Sequence, residues 1–158
     1  RFNYDSEFTG LSIRLLFWKI TTEILSDEHA WIQGVGTGDS QDKLIESYKN
    51  YNLYGGDGTQ DTGYLQYNTH SLFFEVLLKT GLIGLVYLII LLAYPIYKSV
   101  QQQNPLLLAW ILLFSVFSLT EATLQLNKGV VYFAFFYSFL LYFPAHNLNE
   151  KVVSNKLF

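Results

Sequence analysis

Polar and apolar residues trade places abruptly near Asn68. Before it, charges are dense and Gly, Asp, Asn and Gln are frequent. After it, charges are sparse and three apolar runs follow in succession. The first run is Ser71–Tyr97, and its charge-free part, Thr80–Tyr97, comes close to the ~20 residues that cross a bilayer. Pro95 predicts a kink or an ending there. The second run, Leu106–Leu126, is interrupted by Glu121, and Pro105 suits its first turn. The third, Gly129–Ala145, is short and aromatic-rich, and Pro144 closes it. The links between runs, KSVQQQN and NKG, are short, which predicts antiparallel neighbours. In the polar part, LSIRLLFWKITTEIL (residues 11–25) carries apolar residues at 11, 15, 18 and 25, a helical stripe. Three alternate glycines in IQGVGTGD mark a tight turn. A second helix over Ser40–Tyr51 follows, with Asp39 or Ser40 as its cap. LYGGDGTQDTGY reads as a loop.

The pattern predicts an all-α integral membrane chain. Residues 1–70 form an extracytoplasmic helix-and-loop region with an amphipathic helix at 11–25. Transmembrane helices follow at 71–98, 105–127 and 129–146, and a cytoplasmic tail at 147–158. Orientation comes from Lys98 in the first link and Lys151 and Lys156 in the tail, because basic loops stay inside. The region before residue 70 holds five Lys/Arg and ten Asp/Glu. A soluble bundle with very apolar core helices is the alternative, but three such runs bury poorly in so small a domain. Composition agrees with a membrane setting: 51% hydrophobic residues, mean hydropathy +0.22, and 12 Tyr and 13 Phe. A net charge of −3 gives no argument for nucleic acid. With no Cys, disulfide, thiolate-metal and thiol chemistry are excluded. The chain has no Met and opens RFNYDSEF, neither a start nor a signal pattern, so it reads as the C-terminal part of something longer.

Several residues invite chemistry. GVGTGD lacks both the third glycine of a dinucleotide loop and the Gly-Lys-Ser/Thr of a phosphate loop, which leaves turn formation. GGDGTQD has Gln60 where a calcium repeat needs Asp, and it occurs once. Glu75 and Lys79 have the spacing of a helical ion pair. Arg14 reads equally as a snorkelling or ring-facing arginine beside Trp18 and as a fixed fork suited to phosphate. His70 reads as a cap or surface residue, or as a proton acceptor at headgroup depth. Glu121 reads as a functional intramembrane carboxylate, or as one that reaches the interface with Gln125, Asn127 and Lys128. His29 and His146 read as surface residues. Tyr48, Tyr51, Tyr54, Tyr64 and Tyr67 read as packing on the membrane surface, or as platforms for sugar rings.

In order, SIRLLFWKI, IQGVGTGD, NTHSLFFEVLLKTGLIGLVYLIILL and LTEATLQLNKG before a last helix resemble the C-terminal half of the O-antigen ligase and polymerase superfamily. The resemblance covers about residues 11–145. It implies a multi-pass, metal-independent glycosyltransferase of the bacterial inner membrane with no cofactor. Such a protein moves a glycan from a polyprenyl (undecaprenyl) diphosphate carrier to an acceptor hydroxyl on lipid A core, a polysaccharide or a protein. It makes His70 and Arg14 the expected catalytic residues, and Arg14, Trp18, Asn68 and Glu121 the expected substrate-binding ones. One departure stands out: where the family often has His-Asn, this chain has His70-Ser71, so Ser71 or Asn68 would take the Asn role. The chemistry fits, because breaking an anomeric bond to diphosphate builds negative charge that fixed cations stabilise. The cations at hand are Arg14, Lys19, Lys43, Lys49, Lys79 and Lys128. The rival expectation is a non-catalytic membrane protein whose extracytoplasmic region binds a ligand.

Overall fold

The computed structural model describes residue 8, residues 10–56 and residues 63–142. Most of GGDGTQD, together with Pro144, His146 and the tail 147–158, lies outside the described residues. Within them the chain is all-helical: α1 (Gly10–Asp27), α2 (Ser40–Asn50), α3 (Leu72–Gln101), α4 (Pro105–Thr120) and α5 (Asn127–Tyr142), with no strand. They divide into two compact units. The first holds residues up to Tyr87 together with Leu119–Ala122; the second holds Leu88–Ser118 and the residues from Thr123 onward.

The first unit has its own core. The face of α1 carrying Ile13, Leu16, Phe17, Ile20, Ile24 and Leu25 is buried with Leu44 and Tyr48 of α2 and Leu77 and Leu78 of α3. Fully burying side chains of this size contributes roughly 1.5–3 kcal/mol each. This corrects the predicted stripe: Leu11 and Leu15 are 64% and 52% exposed. Apolar residues surround α1 on nearly every side, so its periodicity offers two stripes, and packing selects the one that matches α2. α2 begins at Ser40, as expected, but Asp39 occupies the cap position without a side-chain cap bond.

α3 is broken, and not at Pro95, which lies within the helix and is buried; the chain stays helical to Gln101. The break is at Gly81, with φ 65 and ψ −160, a conformation essentially reserved for glycine. An unbroken helix would pair the Leu82 and Ile83 N–H groups with the Leu78 and Lys79 carbonyls. Instead Leu82 N–H donates to Trp31 O (2.8 Å) and Ile83 N–H to Ile32 O (3.3 Å). The two freed carbonyls accept from Val35 N–H (2.8 Å, to Leu78 O) and Gly36 N–H (3.1 Å, to Lys79 O). The loop after α1 is thus spliced into α3 by its main chain. Contact is so close that a Cβ on Gly34 would stand 2.4 Å from the Lys79 carbonyl carbon, and one on Gly81 2.3 Å from Ile32 O. The predicted tight turn at IQGVG is therefore a docking strip.

In the second unit, the α3–α4 corner is built by Gln103 in a left-handed conformation, Asn104 and Pro105. The Asn104 side chain accepts from Leu107 N–H (3.1 Å) and donates to the α5 carbonyl of Leu140 (3.1 Å), so one buried amide caps α4 and holds α5. Pro105 opens α4 as its position in the sequence predicts. Rings of Trp110, Phe114, Phe133 and Tyr137 pack at centroid distances of 4.6–5.8 Å.

Among the described residues one helix, Leu72–Gln101, is long and apolar enough to cross a membrane, and 28% of its most apolar stretch is buried. α4 and α5 have 16 residues each, roughly 24 Å at 1.5 Å per residue, against the ~30 Å of a hydrocarbon core. The helix expected at 105–127 stops at Thr120 because the Glu121 carbonyl, which would continue it, accepts instead from Leu72 N–H (3.2 Å).

The splice predicts a contrast between glycines. Gly81→Ala should lower stability by at least about 2 kcal/mol, since it combines a disallowed φ with a main-chain clash. Gly38→Ala, which meets nothing within 4 Å, should change it by less than about 0.5 kcal/mol. Thermal unfolding of the detergent-solubilised protein measures both.

Candidate functional site

Three residues far apart in sequence meet in the first unit. Arg14, on α1, donates from Nε to Thr120 O (3.1 Å), from Nη1 to Gly10 O (2.8 Å) and from Nη2 to Glu121 Oε1 (2.9 Å). A guanidinium has five N–H groups, so two have no partner among the described residues. The other carboxylate oxygen, Glu121 Oε2, stands 3.7 Å from His70 Nδ1. That exceeds a hydrogen bond, and this buried nitrogen has no other partner among the described residues. Glu121 lies past the end of α4 and is 39% exposed, so it is not a carboxylate within a spanning helix. Its carboxylate is engaged by Arg14.

The backbone holds His70 in an unusual state, φ 48. Non-glycine residues seldom occupy this region, and histidine does so more readily than most. Asn68 Oδ1 accepts the His70 N–H (2.8 Å), which shapes the turn. The imidazole stacks on Phe17 at 6.0 Å with a 12° tilt and meets the Tyr67 ring edge to face at 5.2 Å. Core packing and a local turn thus aim Nδ1 at Glu121.

The remaining expected residues divide. Trp18 is not a partner of Arg14. Its Nε1–H donates to Thr69 O (3.1 Å) and its ring stacks on Phe74 at 5.0 Å. Asn68 braces His70 through its backbone, and Ser71 is buried. Lys79 pairs with Glu75 at 2.7 Å, as the spacing predicts. Lys19 pairs with Glu23 and faces the Tyr51 ring, and Lys43 pairs with Glu28, so both are engaged on the surface. Those pairings raise both lysine pKa values, chiefly through hydrogen bonds to Tyr51 and Glu28 respectively. His29 takes a positive φ at the end of α1 and is exposed. Among the described residues no group of three or more His, Asp and Glu is arranged to hold a metal ion.

Three buried polar groups stand beside the site: Thr69, which sequence reasoning missed, Glu75, expected only as the partner of Lys79, and Tyr48, expected on the membrane surface or under a sugar ring. Thr69 is fully buried and hydrogen-bonded to Glu75, which is 4% exposed. Tyr48 is fully buried, and its hydroxyl has no partner among the described residues. Burial, then the charge of Glu75, drives the Tyr48 phenol far above its ordinary range and keeps it neutral. Glu75 carried a signal, being a lone carboxylate at the start of an apolar run. Thr69 carried none, and the place of Tyr48 corrects its expected surface role, since its ring packs in the core against Phe17.

Comparison with family models, curated proteins and solved structures finds no match for this chain.

Arg14 and Glu121 are both partly exposed, so their pair should be worth little by itself. An Arg14→Ala/Glu121→Ala double-mutant cycle should give a coupling of about 0.5–1 kcal/mol that shrinks with added salt. A coupling that does not shrink with added salt would show that the pair is not solvent-screened.

Proposed function

We propose that this chain is part of a multi-pass membrane glycosyltransferase, related to the O-antigen ligases and polymerases. It takes a glycan from a polyprenyl diphosphate carrier to an acceptor hydroxyl at the extracytoplasmic face. The observation that carries the reading is the meeting of Arg14 and His70 on the two oxygens of Glu121. A carboxylate beside Nδ1 favours the tautomer with its proton there, which leaves the Nε2 lone pair to accept a proton. The acceptor oxygen then attacks the anomeric carbon, its proton passes to Nε2, and the anomeric C–O bond breaks with its electron pair leaving on the diphosphate. Arg14, whose guanidinium has two N–H groups without a partner among the described residues, stabilises that developing charge. Membrane location is supported by α3, whose outward residues Ile83, Val86, Tyr87, Ile89 and Ile90 are at least half exposed and apolar. In this reading α4 and α5 also span the membrane, helped by local thinning, and α3 enters from the extracytoplasmic side. Lipid A core, a polysaccharide and a protein hydroxyl are all compatible acceptors.

One observation favours the non-catalytic alternative. The three bonds of Arg14 brace the ends of α1 and α4, a structural role that asks for no substrate. The two readings part at His70. In the full-length protein, His70→Ala should lower transfer from a polyprenyl-diphosphate glycan by about 10²-fold or more, while membrane insertion and amount stay unchanged. Glu121→Ala should lower it as well. Undiminished transfer by both variants would sink the catalytic assignment and leave the binding-protein reading.

A further inference from the structure

Thr69 is held from three directions. Its N–H and hydroxyl both approach Glu75 Oε2, at 3.3 and 2.9 Å, the hydroxyl proton being shared with Ser71 O at 3.0 Å, and its carbonyl accepts from Trp18 Nε1 at 3.1 Å. The other Glu75 oxygen takes Lys79 Nζ at 2.7 Å. Burying a carboxylate in an apolar helix is costly unless it is paired and hydrogen-bonded. Lys79 supplies the pairing with one oxygen only. Nor does Glu75 cap α3, since among the described residues its carboxylate meets Thr69 and Lys79 only. Its second oxygen reaches instead to the residue before His70.

We propose that Glu75, acting through Thr69, is a positioning residue for His70. The next peptide after Thr69 is the one that must adopt φ 48, and Asn68 holds it from the other side. A left-handed residue persists only where its surroundings over-determine it. With Thr69 free to rotate, His70 relaxes toward an ordinary φ, its Cβ swings, and Nδ1 leaves Glu121. The charged Glu75–Lys79 pair thereby sets the imidazole without touching substrate. This rests on the reading of His70 as the proton acceptor, and its test separates the two.

The test uses the full-length protein in detergent, labelled with 15N-histidine, the His70 signals being assigned by their loss in His70→Ala. Thr69→Val, which removes the hydroxyl at constant shape, should move the His70 ring nitrogen signals while other histidines stay put. Thr69→Ser should leave them in place. In the transfer assay Thr69→Val should lower kcat by about tenfold or more, with KM within about twofold, and Thr69→Ser should restore it. His70 signals that are indifferent to Thr69→Val would overturn the positioning role whatever the assay reports. So would a loss that falls on KM alone. Moved His70 signals with full transfer by His70→Ala would instead remove the catalytic reading and keep the structural coupling. Because Thr69→Val also removes the contact to Ser71 O, Glu75→Ala with Lys79→Ala is measured beside it, or in its place should Thr69→Val fail to fold; it removes the Glu75 contact alone without stranding a charge, and His70 signals left unmoved by it would overturn the role of Glu75.

Discussion

The first unit depends on an exchange of backbone hydrogen bonds. A helix broken at Gly81 leaves two carbonyls and two N–H groups without intrahelical partners, and buried groups of that kind each cost about 1–3 kcal/mol if unmet. The loop 31–36 meets all four. The break is tolerated because the loop is there, and the loop has a defined course because the break is there. Apolar burial gives the core its mass, but this exchange gives it register: it ties the end of α1 to one place on α3.

That register matters for the candidate site. α1 carries Arg14, Phe17 and Trp18, and the start of α3 follows Thr69 and His70. Once the loop is seated, Phe17 lies under the imidazole, Trp18 reaches the Thr69 carbonyl, and Arg14 reaches the segment 120–121. The three residues fall within five consecutive positions of α1, so a slip of the helix would lose all three contacts together. Glu121 is the hub. Its carbonyl receives the first N–H of α3, one carboxylate oxygen holds Arg14, and the other faces His70.

Two carboxylates thus serve different ends. Glu121 is partly exposed and stands between a cation and an imidazole. Glu75 is buried and closed off by Lys79 and Thr69, an arrangement suited to holding geometry and not to exchanging partners. The neutral Tyr48 phenol and the Phe17 ring complete an apolar backing behind His70.

Helical content, the apolar character of α3, the place of α2, the Pro105 start and the Glu75–Lys79 pair were legible in the sequence, because each depends on neighbours within a few positions of one another. So was the interest of Arg14, His70 and Glu121 as residue types. Their meeting was not legible: gaps of 56 and 51 residues are bridged only by tertiary packing. The buried stripe of α1 was undecidable for a related reason, since two apolar faces compete and only the partner surface chooses. The helix break was assigned to Pro95 on backbone chemistry alone. Proline removes one donor, which an apolar helix can absorb, whereas a main-chain strip docking against Gly81 diverts four hydrogen-bonding groups at once. Local patterns set where helices form. Which carbonyl meets which N–H across the fold decided where one had to stop.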